Sequence, residues 1–202
     1  MRKTGWGAAF IAVGIIGGPV ACAEEEPTPI VAGSSTGAGS SSGEASSSGE
    51  PVAGPPVSLV RAEAWDLTPT DDDPFGSERP GFVQCELGWD VETGAFEVST
   101  DLCKYGSFTQ RSLAEIRQGD RLELVILHDA LYFEEPATAH VAIAIGTEIA
   151  WETELPIPAE AAQLRPTWTA PADVPVGTDV HFHLHNHGTN NYRLIDLTVV
   201  SP

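Results

Sequence analysis

The sequence predicts an all-β protein, a single antiparallel β-sandwich or jelly-roll-like domain behind a disordered tether. Three observations predict it. Short runs of alternating or continuous apolar residues recur from Val57 onward, Pro and Gly punctuate them, and only one stretch carries helical potential. About 146 residues follow the tether, enough for one domain with its own core. No internal repeat divides them, so seven to nine strands are expected in residues 57–202.

The first element is a leader over residues 1–21. Arg2 and Lys3 give a positive start, Ala8 to Ile16 a short apolar stretch, and small residues run up to Cys22. That layout is a secretory signal, and the apolar stretch is too short to span a bilayer. "VAC" matches the end of a lipobox, with Pro19 where such motifs usually have Leu. "ACA" before Glu24 also fits a small-x-small cleavage site, which would release a secreted protein.

Residues 22–56 read "CAEEEPTPIVAGSSTGAGSSSGEASSSGEPVAGPP", without one aromatic residue. Such a composition cannot bury enough apolar surface to offset chain entropy, so it predicts a flexible linker. A coil of about 34 residues reaches roughly 30 Å. The Cys22 and Ser/Gly-rich spacer together resemble bacterial surface lipoproteins of the myxobacterial type. That resemblance implies a lipidated Cys22 and a membrane partner through the N-terminal lipid. Ala23 after the cysteine implies outer-membrane or cell-surface sorting.

The domain is strongly acidic, 24 Asp and Glu against eight Arg and Lys. Nucleic acid needs a basic footprint, so it is excluded as a partner. Cys85 and Cys103 are an even pair in an exported chain and are expected to form a disulfide. "CELGWDVETGAFEVSTDLC" reads as a hairpin turning on Gly94, which would set the two cysteines opposite each other.

The remaining elements follow in order. "VSLVRAEAW" opens the domain, and "SFTQRSLAEIRQGD" is the stretch with helical potential, with Ser112 as its N-cap. "RLELVILH" sets Leu122, Leu124 and Ile126 on one face; "HVAIAIG" does the same for Val141, Ile143 and Ile145. "EIAWETEL", "VPVGTDVHFHLH" and "YRLIDLTVV" complete the strands. "HGTNNY" is turn-like, so the last two strands are expected to form a hairpin. Counting back pairs Phe182 with Leu197, Leu184 with Ile195 and Val180 with Val199. His183 would then face Asp196 on the opposite side.

The chemistry concentrates in "VHFHLHNHG". In a strand, alternate side chains share a face about 6.6–6.8 Å apart, so His181, His183 and His185 point together, away from Val180, Phe182 and Leu184. With His187 at the turn and Asp196 nearby, this row is a candidate site for Zn or Cu. The alternative is a His-rich strand without a metal. "HLHNH" resembles the H-L-H-G-H segment of multicopper oxidases over five residues, but their His-flanked Cys is missing. "PVGTDVHFHLHN" resembles the second cupin motif, with its first His one position late.

His128 and His140 could join the row, or serve as structural histidines. Asp71, Asp72 and Asp73 lack the alternating spacing of a Ca²⁺ loop. Trp65, Trp89, Trp151 and Trp168 could form a sugar-stacking platform, although most Trp in small sandwiches serve the core. Nucleophile elbows and phosphate loops are absent, and no catalytic residue is nominated. The expectation is an exported, lipid-anchored envelope protein with a non-catalytic binding or structural domain. A Zn/Cu-binding protein and a carbohydrate-binding module are the alternatives, and the ligand is a glycan, protein or other envelope component.

Overall fold

A computed structural model describes residues 54–200; the leader, Cys22 and nearly all of the linker lie outside the described residues. Twelve strands build the domain: β1 (Val57–Ser58), β2 (Asp66–Leu67), β3 (Trp89–Glu92), β4 (Ala95–Ser99), β5 (Tyr105–Arg111), β6 (Arg121–His128), β7 (Ala137–Ile145), β8 (Glu148–Ile157), β9 (Ala162–Leu164), β10 (Thr167–Thr169), β11 (Asp179–His185) and β12 (Asn191–Val200). The count exceeds the expected seven to nine because β1, β2, β9 and β10 have only two or three residues each, too few to show a period. Among the described residues no helix is long and apolar enough to cross a membrane.

All pairings are antiparallel, in two sheets. One runs β10-β6-β12-β4-β3, with β1 added to β12 and β9 to β6; the other runs β2-β5-β11-β7-β8. The sheets face each other through alternate side chains. Phe108, Phe182, Leu184, Val141 and Ile143 from the five-stranded sheet meet Phe96, Val98, Leu124, Ile126 and Leu197 from the other. Phe96 sits at the centre, its ring centroid 5.0 Å from Phe108 and 6.2 Å from Phe182, both edge-on. Fully burying each such side chain contributes about 1.5–3 kcal/mol.

Three expectations are corrected. The stretch around Ser107 is not helical: Tyr105–Arg111 is β5, paired with β11 along its whole length. Tyr, Phe and Thr suit a pleated surface with a neighbour on each side, and that pairing overrides a weak local helix preference. From Leu113 to Gly119 the chain is irregular, anchored by an Ile116–Val174 bridge.

The last two strands are not a hairpin. β11 lies between β5 and β7, while β12 lies between β6 and β4 in the other sheet. Residues 186–190 carry the chain across the sandwich. Buried Asn186 donates to Thr100 Oγ1 (2.9 Å) and accepts from Tyr192 Oη (2.9 Å), while Asn190 Oδ1 accepts from Tyr132 N–H (2.8 Å). Side chains thus satisfy the buried polar groups of this crossing. Gly188 is at φ +88, and a Cβ there would stand 2.2 Å from the Tyr132 carbonyl oxygen.

The register within β12 also changes. A bulge between Leu194 and Asp196 turns Ile195 outward, 41% exposed, so Tyr192, Leu194, Leu197 and Val199 face the core. Ile195 therefore packs against nothing on β11, and Asp196 stands opposite Val125.

The Cys85–Cys103 disulfide is present, with a Cα separation of 4.1 Å. The β3–β4 hairpin turns on Thr93 and Gly94 together, both at positive φ, one half-step from the expected centre on Gly94. Both cysteines lie beyond the paired strands, and the bridge closes the loops flanking that hairpin.

Candidate functional site

The alternation of β11 places Val180, Phe182 and Leu184 in the core and His181, His183 and His185 on the outer face of the five-stranded sheet. That part of the sequence reading holds. His183 lies opposite Ser107 on β5 and Ala142 on β7, and His185 opposite Tyr105 and His140. Asp196 is in the other sheet, so it does not meet the row. His128 is in that other sheet too, its Nδ1 2.9 Å from the Asp129 carbonyl. His140, by contrast, joins the row, its ring 5.2 Å from His183. His187 is exposed at the strand end, its ring 5.4 Å from His185.

The outer face is not open to water at its centre. The segment between β2 and β3 folds over it through short 3-10 turns at Thr70–Asp72 and Gly76–Glu78. Phe75 is the plug: buried on Ala142 and Ala144, it stacks on the His183 ring at 4.3 Å and 19°. Asp73 anchors the plug. Its Oδ1 accepts from Phe75 N–H (3.0 Å), and its Oδ2 accepts from Tyr105 Oη (2.7 Å) and pairs with Arg79 (3.3 Å). Burial works to raise the Asp73 carboxyl, but the Tyr105 and Phe75 hydrogen bonds outweigh it and hold it below the ordinary range. Burial, with Asp73 behind it, pushes the Tyr105 phenol up.

His183 is completely buried under this plug. Desolvation, with His140 adding repulsion, pushes its pKa down to about 3, so the ring is neutral. Burial lowers His181 and His185 as well.

Beside the plug a groove of about 870 Å³ crosses the β2, β5 and β11 side of the face. Its wall includes Pro69 and Asp72 from the covering segment, and Asp66, Thr109, Arg111 and His181 from the sheet. Arg111 and Asp179 pair at its edge at 3.2 Å. Thr68, Thr109 and His181 contribute to this groove, and Thr68 Oγ1, Thr109 Oγ1 and His181 Nδ1 are buried beneath its surface with no hydrogen-bond partner among the described residues. Native proteins pair nearly all such atoms, so three together mark a place built for another polar partner.

The four tryptophans do not share one surface. Trp65 is buried, 5.6 Å from Phe96, and Trp89 packs between Phe96 and Phe108. Trp151 and Trp168 pack against the same core beside Leu122 and Leu124. Of the groove members only His181 and Asp72 stood out in the sequence, and Asp72 only as part of an acidic run. Thr68, Thr109 and Asp72 come from segments brought together only by folding, and single threonines carry no signal.

No protein-family model matches the chain, and no curated protein does. Among solved structures it is similar to a CBM4 structure, at 14% identity over 70% of this chain and 89% of that one, with a TM-score of 0.44. It is also similar to the N-terminal cellulose-binding domain of Cellulomonas fimi β-1,4-glucanase C, at 18% identity over 56% and 81%, TM-score 0.38. A third is the K3 cleaved adhesin domain of Lys-gingipain from Porphyromonas gingivalis w83, at 11% identity over 73% and 100%, TM-score 0.43. Each is a distant likeness.

Proposed function

We propose that the chain is an exported, envelope-tethered, non-catalytic binding protein whose groove takes a neutral, hydroxyl-rich ligand, a carbohydrate. The three unpartnered polar atoms of Thr68, Thr109 and His181 carry this reading. Each buried group left unpaired costs about 1–3 kcal/mol, a cost that a hydroxyl-bearing ligand or a water can offset and an apolar ligand cannot. An apolar ligand would leave all three atoms stranded.

Charge narrows the class. Two arginines, Arg61 and Arg111, face three aspartates, Asp66, Asp72 and Asp179, around the groove. With Arg111 and Asp179 paired, Arg61 faces Asp66 and Asp72, a single net negative charge that disfavours an anionic ligand. Sugar hydroxyls both donate and accept, which suits two threonine hydroxyls beside an imidazole nitrogen.

Export is supported by the disulfide, which belongs to an oxidising compartment. Attachment is assigned to an acylated Cys22, with the Ser/Gly linker holding the domain off an outer membrane. Metabolic labelling with radioactive palmitate tests the anchor: label on wild type and none on Cys22→Ala supports it, and unlabelled wild type overturns it.

The ligand is tested by probing a glycan array with the full chain and with Thr109→Val, which keeps shape and removes one hydroxyl. Binding of wild type to a neutral glycan, weakened at least tenfold in the variant, supports the proposal. No glycan bound, or equal binding by both proteins, overturns it.

A further inference from the structure

The outer face holds a second cluster that the groove does not use. His140 Nε2 lies 3.2 Å from Glu152 Oε2 on β8, in hydrogen-bond geometry. His140 Nδ1 stands 3.0 Å from Glu78 Oε2, close but outside hydrogen-bond geometry. An imidazole lone pair and a carboxylate oxygen at that distance repel unless something positive lies between them.

His183 supplies a third donor. It is 0% exposed, and neither ring nitrogen has a hydrogen-bond partner among the described residues. One ligand atom each from Glu78, His140 and His183 lies within 4.8 Å of the others. A tetrahedral ion with bonds of about 2.0–2.2 Å separates its ligand atoms by about 3.3 Å. The His140–Glu78 pair, at 3.0 Å, is near that spacing, and side-chain rotations of Glu78 and His140 would bring all three ligand atoms to it. A protonated His140 shared by two carboxylates would account for His140 but would leave His183 without a partner.

We propose that Glu78, His140 and His183 bind a divalent transition ion of the zinc type, with Glu152 hydrogen-bonded behind His140 and a fourth position open to water. Two imidazoles and a carboxylate suit Zn²⁺, and a carboxylate on the far nitrogen is the common partner of a metal-bound histidine. Only His183 among these belongs to the row conspicuous in the sequence; His181, His185, His187 and Asp196 are not ligands. Glu78 belongs to the covering segment, so the ion ties that segment to the sheet. The same segment supplies Pro69 and Asp72 to the groove wall. The three ligands are not groove residues, so the test below is independent of glycan binding.

The test is calorimetric titration of ZnCl₂ into the full chain after EDTA treatment and dialysis. One equivalent is expected in wild type, weakened at least tenfold in Glu78→Gln and in His140→Gln, and unchanged in His187→Gln and Asp196→Asn. Glu78 is exposed, so its replacement leaves the fold intact, which equal melting temperatures in EDTA would verify. Absence of stoichiometric Zn²⁺ in wild type overturns the proposal. So does undiminished binding by Glu78→Gln and His140→Gln, or a loss that follows His187→Gln alone.

Discussion

Lowering the pH of the EDTA-treated protein from 8 to 5 should destabilise it by about 2 kcal/mol through His183 alone. In the unfolded chain this imidazole takes up a proton near pH 6.5. In the folded protein, burial beneath Phe75 keeps it neutral down to about pH 3. Between those values the unfolded state binds more protons, so stability rises with pH and is lost as pH falls through 6.5. At pH 5 the unfolded chain is ahead by about 1.5 pKa units of protonation, worth about 2 kcal/mol. Urea unfolding followed by tryptophan fluorescence should show the midpoint falling by roughly 1 M, given a urea slope of about 1–3 kcal/mol per M.

His183→Phe keeps a ring stacked on Phe75 and removes the titration, so its stability should vary less with pH by that amount. His181 and His185, also lowered by burial, contribute with the same sign in both proteins. Asp73, held low by Tyr105 and Phe75, loses its contribution only below the ordinary carboxylate range. Identical pH dependence in wild type and His183→Phe would refute the burial argument.

Other outcomes follow from the same structure. Thr109→Val should raise stability by about 1 kcal/mol in chemical denaturation, since it removes a buried hydroxyl without a partner, while ligand binding falls. Gly188→Ala should cost about 2–3 kcal/mol because its Cβ meets the Tyr132 carbonyl at positive φ; Gly94→Ala, with open space around it, should cost about 1 kcal/mol in the same assay. Asn186→Ala should cost about 2 kcal/mol by leaving Tyr192 Oη buried without an acceptor. Replacing Cys85 and Cys103 by Ala should lower stability by about 3 kcal/mol at a sequence separation of 18.

The strands were legible because each carries its burial pattern locally: "RLELVILH" and "HVAIAI" alternate as they pack. Which sheet a strand joins was not. β11 and β12 look like a hairpin because their apolar faces match, but a five-residue connection can return along the same sheet or cross to the other. The buried asparagines that decide for crossing resemble ordinary turn residues. One clue was present: Leu194 and Leu197 are three apart, which breaks a period of two and marks the bulge. The outward direction of the histidines follows from alternation alone. Their burial does not, because the covering Phe75 lies more than a hundred residues away in sequence. For the same reason Glu78 could not be joined to His183 by spacing, and His140 could be offered only alongside His128.

The groove on the five-stranded sheet is the centre of the account, and amide chemical-shift mapping tests it most directly. Titrating the ¹⁵N-labelled protein with the tightest glycan from the array should move the amides around Thr68, Thr109 and His181. Shifts confined to β6 and β12 on the opposite sheet, or none at saturating glycan, would contradict it.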